Sequence, residues 1–426
     1  MNGSYTARFT LRWTGNHRIS VKVMHSSEAV SALRRVSENF PTRASYDGFF
    51  WNGNDVTVSA CHITPYFYIK EWENKSYVAE MCNFTDPITG APWYCTKPAN
   101  FSCSSYGNHS YSMRDNNILD IFLSKDEKEE ILKRPSEIAS IGDAIARVKT
   151  ALLFCFLILD SLQTMSTCTS HLLPPCDIKF QPEQNQNIVA GFYHRDNWIS
   201  LNCDTHIETN TTFLSNCLQN KTMYFLGDST LRQWFVYLIE KLGELKIDLK
   251  LMENASFRIG MDYWKSRALN TSLYYHHHGF PNTIYIASTS DIHYVANMID
   301  SLPSDGQNTI FFISLAAHFT ITTSEFFHYR IKTVKHAILR LHERSPDIPV
   351  LVKSANTRAP GDILRPNWFH DQLNKFLSEE FVGLPNVLLV DVWNMTIGHH
   401  TGWAIHPANI VIENEIKLVM SYLCKP

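Results

Sequence analysis

The segment Tyr224-Phe225-Leu226-Gly227-Asp228-Ser229-Thr230-Leu231-Arg232-Gln233-Trp234 decides the fold of this chain. Residues 223–226 form a short apolar run typical of a buried strand, and the apolar residues after Ser229 recur at helical spacing. The segment therefore predicts a strand, a tight turn at Gly227 and a helix that begins at Ser229. A hydroxyl there lies among free N–H groups at the positive end of a helix, where an alkoxide or oxyanion is stabilised. The alternative is that Asp228 or Ser229 only caps the helix.

The sequence after residue 190 alternates between short apolar runs and helical patterns. Such alternation predicts a parallel sheet covered by helices on both faces, with reactive groups at the carboxyl ends of its strands. Ser229 and Asp391 each follow such a strand end. The predicted strands are 222–226, 283–287, 309–315, 348–353 and 386–390, and the predicted helices are 229–242, 291–301, 323–344, 367–380 and 409–423.

Composition places the chain among large globular proteins. Of its 426 residues, 44% are apolar and 19% are charged, so it can bury a large core. Its length predicts two domains or slightly more. The formal net charge of −3 provides no basic surface, so we expect no nucleic-acid partner.

Cysteines and glycosylation sequons indicate an oxidising compartment. Four cysteines lie among polar loop residues, and the Cys-x-x-Cys spacing that zinc favours is absent from them, so two disulfides are favoured over a metal site, with three pairings open. Asn-x-Ser/Thr sequons favour a secreted protein or the Golgi lumen. The four cysteines are Cys61, Cys82, Cys95 and Cys103, and the sequons include Asn74, Asn83, Asn100, Asn108, Asn210 and Asn220.

The composition divides the chain into three regions. Residues 1–115 contain short segments, turns and the four cysteines, which is typical of an extracellular all-β module. Residues 116–190 form a connector whose apolar run at 151–159 is far shorter than the ~20 residues that span a bilayer, so we interpret this run as a buried element and expect no membrane span. Residues 191–426 form the α/β domain. Because no apolar signal core begins the chain, we expect a truncated or alternatively started form that lacks the first strands of the β module.

These residues together resemble the neurexophilin and PC-esterase domain family. The segments Phe9-Thr10-Leu11-Arg12-Trp13, Ser27-Glu28-Ala29-Val30 and Pro92-Trp93-Tyr94-Cys95 resemble its neurexophilin-like module. Gly227-Asp228-Ser229-Thr230-Leu231-Arg232-Gln233-Trp234 is close to the signature of the PC-esterase branch of the Gly-Asp-Ser hydrolases, and His406-Pro407 matches its histidine-proline pair. The implied fold is α/β, a three-layer parallel-sheet PC-esterase domain preceded by an incomplete immunoglobulin-like β-sandwich.

The resemblance implies acyl-ester chemistry. Ser229 would attack an acetyl donor, for which the family implies acetyl-CoA, and His406 would serve as general base and then general acid. A hydroxyl of a glycan or glycoprotein, sialic acid included, would resolve the acyl-enzyme in an O-acetyltransferase, and water would do so in an esterase. The implied oxyanion and substrate groups are Gly227, the Ser229 N–H, residues near Ala316-Ala317-His318, and Asn356. Arg232 is either a salt-bridged structural residue or a substrate contact.

The orienting acid departs from the family pattern. The superfamily often places an aspartate three residues before the histidine, where this chain has Trp403. Asp391 is therefore the candidate acid. No glycine loop that cradles phosphates is present, so acetyl-CoA is implied by the family alone, and no metal is expected. The alternative function is a non-catalytic neurexophilin-like binding or adhesion protein.

Overall fold

A computed structural model describes most of the chain. The apolar run at 151–159, most of the predicted connector and the sequon at Asn74 lie outside the described residues. The described residues are 15–19, 24–39, 46–64, 80–111, 123–133, 144–148, 173–178, 190–243, 261–281, 286–304, 306–359, 362 and 365–424.

The described elements follow here in chain order. The strands are β1 (Gly15–Ile19), β2 (Tyr46–Asn52), β3 (Asp55–His62), β4 (Met81–Asn83), β5 (Tyr94–Thr96), β6 (Tyr106–Tyr111), β7 (Ala144–Val148), β8 (Gly191–His194), β9 (Asn197–Ser200), β10 (Thr222–Gly227), β11 (Met261–Ser266), β12 (Thr271–His277), β13 (Ala287–Ser288), β14 (Thr309–Ser314), β15 (Val350–Lys353) and β16 (Val387–Val390). The α-helices are α1 (Ser27–Asn39), α2 (Lys125–Lys133), α3 (Thr211–Leu218), α4 (Ser229–Leu242), α5 (Val295–Ser301), α6 (Ser324–Arg344), α7 (Asn367–Phe381), α8 (Trp393–Gly398) and α9 (Asn409–Leu423). Short 3₁₀-helices are Cys103–Ser105, Thr289–Asp291, Gly306–Asn308 and Ala316–Ile321.

The site lies on a parallel sheet in the order β11-β12-β10-β14-β15-β16, in which only the edge strand β11 is antiparallel to its neighbour. The predicted α/β fold is therefore confirmed. Strand β10, the first strand of this sheet in the sequence, lies between β12 and β14. The later strands are therefore added on both sides of β10, and the winding of the chain reverses there. In doubly wound sheets, ligands bind at the carboxyl end of the strands where the winding reverses. Gly227 ends β10 at that point.

Helices cover both faces of this sheet because its strands are apolar on both sides. On one face, Phe225 and Phe312 stack at 4.5 Å beneath α4 and α9. On the other face, Tyr224, Phe311 and Val352 pack beneath α5, α6 and α7. The predicted helices 229–242 and 409–423 are confirmed at the predicted bounds, as α4 and α9.

One strand prediction within this region falls mostly outside the described residues, and its described end lies in a different sheet from the predicted one. The strand predicted at 283–287 was expected in the parallel sheet, but residues 282–285 lie outside the described residues and Ala287 pairs with His109 of β6 in the other large sheet. In the parallel sheet, β12 lies next to β10 instead of the predicted strand. The sequence did not reveal β12 because polar residues, tyrosines and histidines occupy both its buried and its half-buried positions, which blurs the apolar pattern.

The front of the chain forms an antiparallel sheet in the order β13-β6-β2-β3-β5-β4. Two disulfides hold it, Cys61–Cys95 and Cys82–Cys103, which confirms the prediction of two bridges and selects one of the three pairings. Its buried face is continuous with the core beneath α5 and α6. The stacking of Trp93 on Phe280, with ring centres 4.5 Å apart, joins the two sheets.

Two further disulfides stabilise the α/β part of the chain. Cys176 pairs with Cys203, and Cys217 in α3 pairs with Cys424 just after α9. Of the described sequon asparagines, Asn83, Asn100, Asn210 and Asn220 are exposed, and the half-buried Asn108 accepts a hydrogen bond from Trp51. Glycosylation stays a prediction.

Among the described helices, none is both long and apolar enough to cross a membrane.

Candidate active site

Ser229 and His406 form the centre of the site. The Ser229 hydroxyl lies at the first residue of α4, and its Oγ is 2.8 Å from Nε2 of His406. When the imidazole carries its proton on Nδ1, Nε2 accepts and the hydroxyl donates its proton along this bond. The structure thus brings together two residues that are 177 positions apart in the sequence. Ser229 is half-buried and His406 is exposed, so a substrate can reach both.

Asp228 fixes the turn that carries Ser229. It is fully buried, and its Oδ1 caps α4 by accepting from the N–H and the hydroxyl of Thr230 at 2.9 and 2.6 Å. Its Oδ2 accepts from the N–H of Ala317 at 3.1 Å, which ties the end of β10 to the segment after β14. The capping role is therefore real, but it falls to Asp228 and leaves the Ser229 hydroxyl for His406.

Gly227 allows the two strands to approach. A Cβ atom there would collide with the backbone oxygen of Ser314 on β14, so only glycine fits. The Gly227 carbonyl accepts from the Tyr275 hydroxyl and from the His278 N–H, both at 3.1 Å. Gly227 therefore positions Ser229 through backbone contacts.

The loop that carries His406 is held from beneath by Asn356. Its Nδ2 donates to the carbonyl of Ile405 at 2.8 Å, and its Oδ1 accepts from the fully buried ammonium of Lys353 at 2.5 Å. Asn356 is itself fully buried. The structure thus shows it as a support for the loop of His406, and its role as an oxyanion donor stays a prediction.

Electrostatics favour a neutral His406. Removal of water by the surrounding protein lowers the pKa of His406, and the positive charges of Arg358 and Lys353 lower it further. The carboxylate of Asp228 acts in the opposite sense and raises this pKa. A neutral imidazole that accepts from Ser229 is the form required of a general base.

Asp391 does not contact His406. Its Oδ2 accepts from the side-chain amide of Asn394 at 2.6 Å, and its Oδ1 accepts from the N–H of Asn394 at 3.4 Å. Burial raises the pKa of Asp391, while these hydrogen bonds oppose the rise. Among the described residues, no carboxylate is hydrogen-bonded to His406, so the geometry shown is a serine-histidine pair.

His318 belongs to a chain of hydrogen bonds between histidines. His278 donates from Nδ1 to the Gly279 carbonyl at 2.6 Å, so its Nε2 must accept the Nδ1–H of His318, 2.8 Å away. The Nε2 of His318 is then unprotonated. In this tautomer, His318 is a hydrogen-bond acceptor, so it does not donate to an oxyanion.

The remaining predicted site residues have defined partners. The N–H of Ala317 is used by Asp228, whereas the N–H of Ser229 meets no acceptor within the described part of the chain and stays the best oxyanion donor. The guanidinium of Arg232 pairs with the carboxylate of Asp262 at 3.0 Å. This ion pair agrees with the prediction that Arg232 is a salt-bridged structural residue.

Sequence reasoning missed Lys353 and Arg358. Lys353 ends the apolar strand β15 and is fully buried. A charged residue at the end of an apolar run was the one feature of the sequence that could have indicated its role. Arg358 is half-buried, pairs with Asp362 at 2.7 Å and acts electrostatically on His406. Two clusters have metal-ligand chemistry among the described residues: the buried His277, His278 and His318, and a surface group of Asp196, His399 and His400, in which Asp196 and His400 are exposed and His399 is buried.

Comparison with known proteins places the chain in a family. Residues 198–424 match the family described as NXPE family member 4-like, C-terminal domain. Among solved structures, a member of the lipolytic protein G-D-S-L family from Veillonella parvula is similar over 47% of this chain and 96% of that chain, with 15% sequence identity and a TM-score of 0.24. A likeness of that size carries no argument about activity. The family match spans more than half of the chain and includes both Ser229 and His406, and the chain therefore belongs to the NXPE family member 4-like, C-terminal domain family.

Proposed function

We propose that this protein is a serine-dependent acyltransferase or esterase, with Ser229 as nucleophile and His406 as general base. The observation that carries this proposal is the 2.8 Å bond between Ser229 Oγ and His406 Nε2 at the amino-terminal end of α4. A nucleophilic serine needs a base within hydrogen-bond reach, and His406 meets that need.

The proposed reaction has two steps. Ser229 Oγ attacks the acyl carbonyl as its proton passes to His406, and the Ser229 N–H stabilises the oxyanion. The leaving thiol or alcohol departs with that proton, which leaves an acyl-serine. In the second step, an acceptor hydroxyl gives its proton to His406 as its oxygen attacks the acyl-serine, and His406 passes that proton to Ser229 Oγ as the product ester leaves, which restores free Ser229 and neutral His406.

The finer proposal is a glycan O-acetyltransferase of the secretory pathway. Family resemblance supports acetyl-CoA as donor and a glycan or glycoprotein, sialic acid included, as acceptor. The four disulfides support an oxidising compartment such as the Golgi lumen or the cell exterior. If water resolves the acyl-serine instead, the protein is a carbohydrate esterase.

A non-catalytic binding protein is the second candidate. It is favoured by the absence, across the described residues, of a carboxylate bonded to His406, since removal of the acid from a catalytic triad lowers the rate about 10⁴-fold. The two candidates make opposite predictions for turnover.

Labelled-acetyl transfer tests the proposal. The full chain, produced in an oxidising compartment, is incubated with labelled acetyl-CoA and a panel of sialylated and neutral glycans, and release of free acetate is followed in parallel. Ser229→Ala and His406→Ala are compared with Ser290→Ala and His400→Ala, which change exposed residues of the same types.

We expect acetyl transfer or hydrolysis by the parent and by both control variants, and its loss in the two site variants. Mass spectrometry of the parent, quenched during turnover, should find an acetyl group on the peptide that contains Ser229. A folded parent that neither transfers nor hydrolyses acetyl groups would overturn the acetyl chemistry and favour the binding protein instead.

A further inference from the structure

Three buried histidines meet above the end of β10. His277 ends β12 and His278 comes directly after it, whereas His318 lies in the 3₁₀-helix after β14. The two strands that flank β10 therefore place the three histidines close together. They are 8%, 1% and 8% exposed. One ring nitrogen from each lies within 4.8 Å of the other two. This grouping is unusual for a protein core, where polar side chains are normally dispersed among apolar ones.

Backbone carbonyls orient two of the rings. His277 donates from Nδ1 to the carbonyl of His278 at 3.0 Å, and His278 donates from Nδ1 to the carbonyl of Gly279 at 2.6 Å. Both therefore carry an unprotonated Nε2. Metal-binding histidines commonly donate their second ring nitrogen to a backbone carbonyl, which fixes the tautomer and the ring orientation.

We propose that His277, His278 and His318 bind a divalent transition-metal ion, with Zn²⁺ as the ion that imidazole ligands suit best. Three imidazoles with one open coordination position form a known pattern of zinc sites. The proposal concerns binding alone and does not depend on the proposed acyl chemistry.

Binding requires all three rings to adjust, because their ligand nitrogens lie within 4.8 Å of one another and not at one common distance, and His318 must move away from His278. Nδ1 of His318 lies 2.8 Å from Nε2 of His278. Zinc–nitrogen bonds of about 2.0–2.1 Å separate two ligand nitrogens by about 3.3 Å, so the rings must move apart by roughly half an ångström. The proton on Nδ1 of His318 moves to Nε2 of the same ring, so no net charge is lost from the ligands.

Neighbouring charges act on the site in both directions. The negative charge of Asp228 stabilises a positive charge at His277 and His278. The positive charges of Arg358 and Arg365 destabilise a positive charge at His318. We therefore expect weaker binding than at a closed, thiolate-rich structural zinc site.

Metal titration of the full chain tests the site. The protein is freed of metal with a chelator, titrated with Co²⁺ while visible absorption is recorded, and then titrated with Zn²⁺ against a chromogenic chelator. We expect one equivalent to bind, with affinity reduced at least about 10-fold in His278→Gln and in His318→Gln. His400→Gln is the matched control, because it removes a ligand from the surface group of Asp196, His399 and His400.

The outcomes separate the two clusters and the two proposals. Loss of binding in His400→Gln, with normal binding in His278→Gln and His318→Gln, would assign the metal to the surface group and overturn the inference. Failure of the parent to bind Co²⁺ or Zn²⁺ would overturn it as well. If the two glutamine variants do not fold, X-ray absorption at the zinc edge of the parent decides, because the inference requires three imidazole ligands. Ser229→Ala should bind metal as the parent does, whatever its activity.

Discussion

The side-chain amide of Asn356 donates a hydrogen bond of 2.8 Å to the carbonyl oxygen of Ile405, the residue that precedes His406. Behind Asn356 lies the buried ammonium of Lys353, at the end of a central strand of the sheet. The position of His406, the proposed general base, therefore depends on a strand that does not itself carry a proposed reacting group.

Asn356→Ala should impair turnover more than binding. Without the amide, the His406 loop loses its contact to the sheet, and misplacement of a catalytic group by about 1 Å can reduce the rate about 100-fold. Lys353 also loses an acceptor, which should reduce the free energy of unfolding by about 1–3 kcal/mol. Acyl-transfer kinetics and urea unfolding measure the two effects. Gln233→Ala is the control, since its amide lies 3.5 Å from the Pro407 carbonyl on the same loop, and equal kcat values for the two variants would contradict the prediction.

The acid limb of the pH–rate profile should follow His406. In the proposed mechanism the group acts as a base, so activity is present above its pKa and is lost as the pH falls through it. Because removal of water by the surrounding protein and the charge of Arg358 lower this pKa, the limb should lie below the usual 6.5. Arg358→Gln removes one of the causes and should move the limb to higher pH.

Arg365→Gln provides the matched control for that shift. Arg365 affects the pKa of His318 but is not among the groups that affect His406, so its removal should leave the acid limb in place. The measurement is kcat/KM as a function of pH for the parent and both variants. A limb that moves equally in the two variants would show that general loss of positive charge, and not Arg358, sets it.

Gly227→Ala should destabilise the protein, because the added Cβ meets the backbone oxygen of Ser314 and neither strand can move freely. Overpacking of this kind typically costs about 1–3 kcal/mol, and we expect the upper part of that range. At Gly398, an added Cβ meets only the Tyr193 ring, at 3.8 Å, so Gly398→Ala should be neutral or slightly stabilising. Urea unfolding compares the two, and a Gly227→Ala variant as stable as the parent would refute the close approach.

The disulfide Cys217–Cys424 should contribute more stability than Cys176–Cys203. It closes a segment of 207 residues, compared with 27 for the other. Removal of a disulfide typically costs about 2–5 kcal/mol, and the loop-closure entropy predicts a difference of about 2 kcal/mol between these two. Paired Cys→Ser variants, compared by chemical unfolding, measure both contributions, and the reverse order would show that strain or packing outweighs chain entropy.

Much of the parallel sheet could be predicted from the sequence, because buried parallel strands are short apolar runs separated by amphipathic helices. The helix at 229–242 and the place of Ser229 at its start follow from local pattern alone, whereas the proposed role of Ser229 as nucleophile also needed the family resemblance. The segment at 287–288 could not be placed, since its partner strand β6 lies almost 180 residues earlier and the pairing leaves no local pattern. His406 was found only through the family resemblance, because loop histidines have no distinguishing periodicity.

Asp391 illustrates a different limit of sequence reasoning. Its place at a strand end suggested the third member of a triad, but Asn394 lies three residues later and satisfies the carboxylate locally. Short side chains often bond to nearby residues in this way, and a list of residue types does not reveal the competition. His318 is similar, since its role as acceptor depends on the tautomer of His278.

Strand β13 has a consequence for how this protein can be divided. Ala287 and Ser288 lie between two strands of the parallel sheet in the sequence, yet they form the edge of the front sheet, next to the stack of Trp93 on Phe280. A cut anywhere between the front module and the α/β part would remove the outer strand β13 from the front sheet. It would also remove Trp93 from its stack on Phe280 in the α/β part. Gene fusions and chimaeras that exchange the two parts as independent cassettes should therefore fail, unless residues 280–288 travel with the front module.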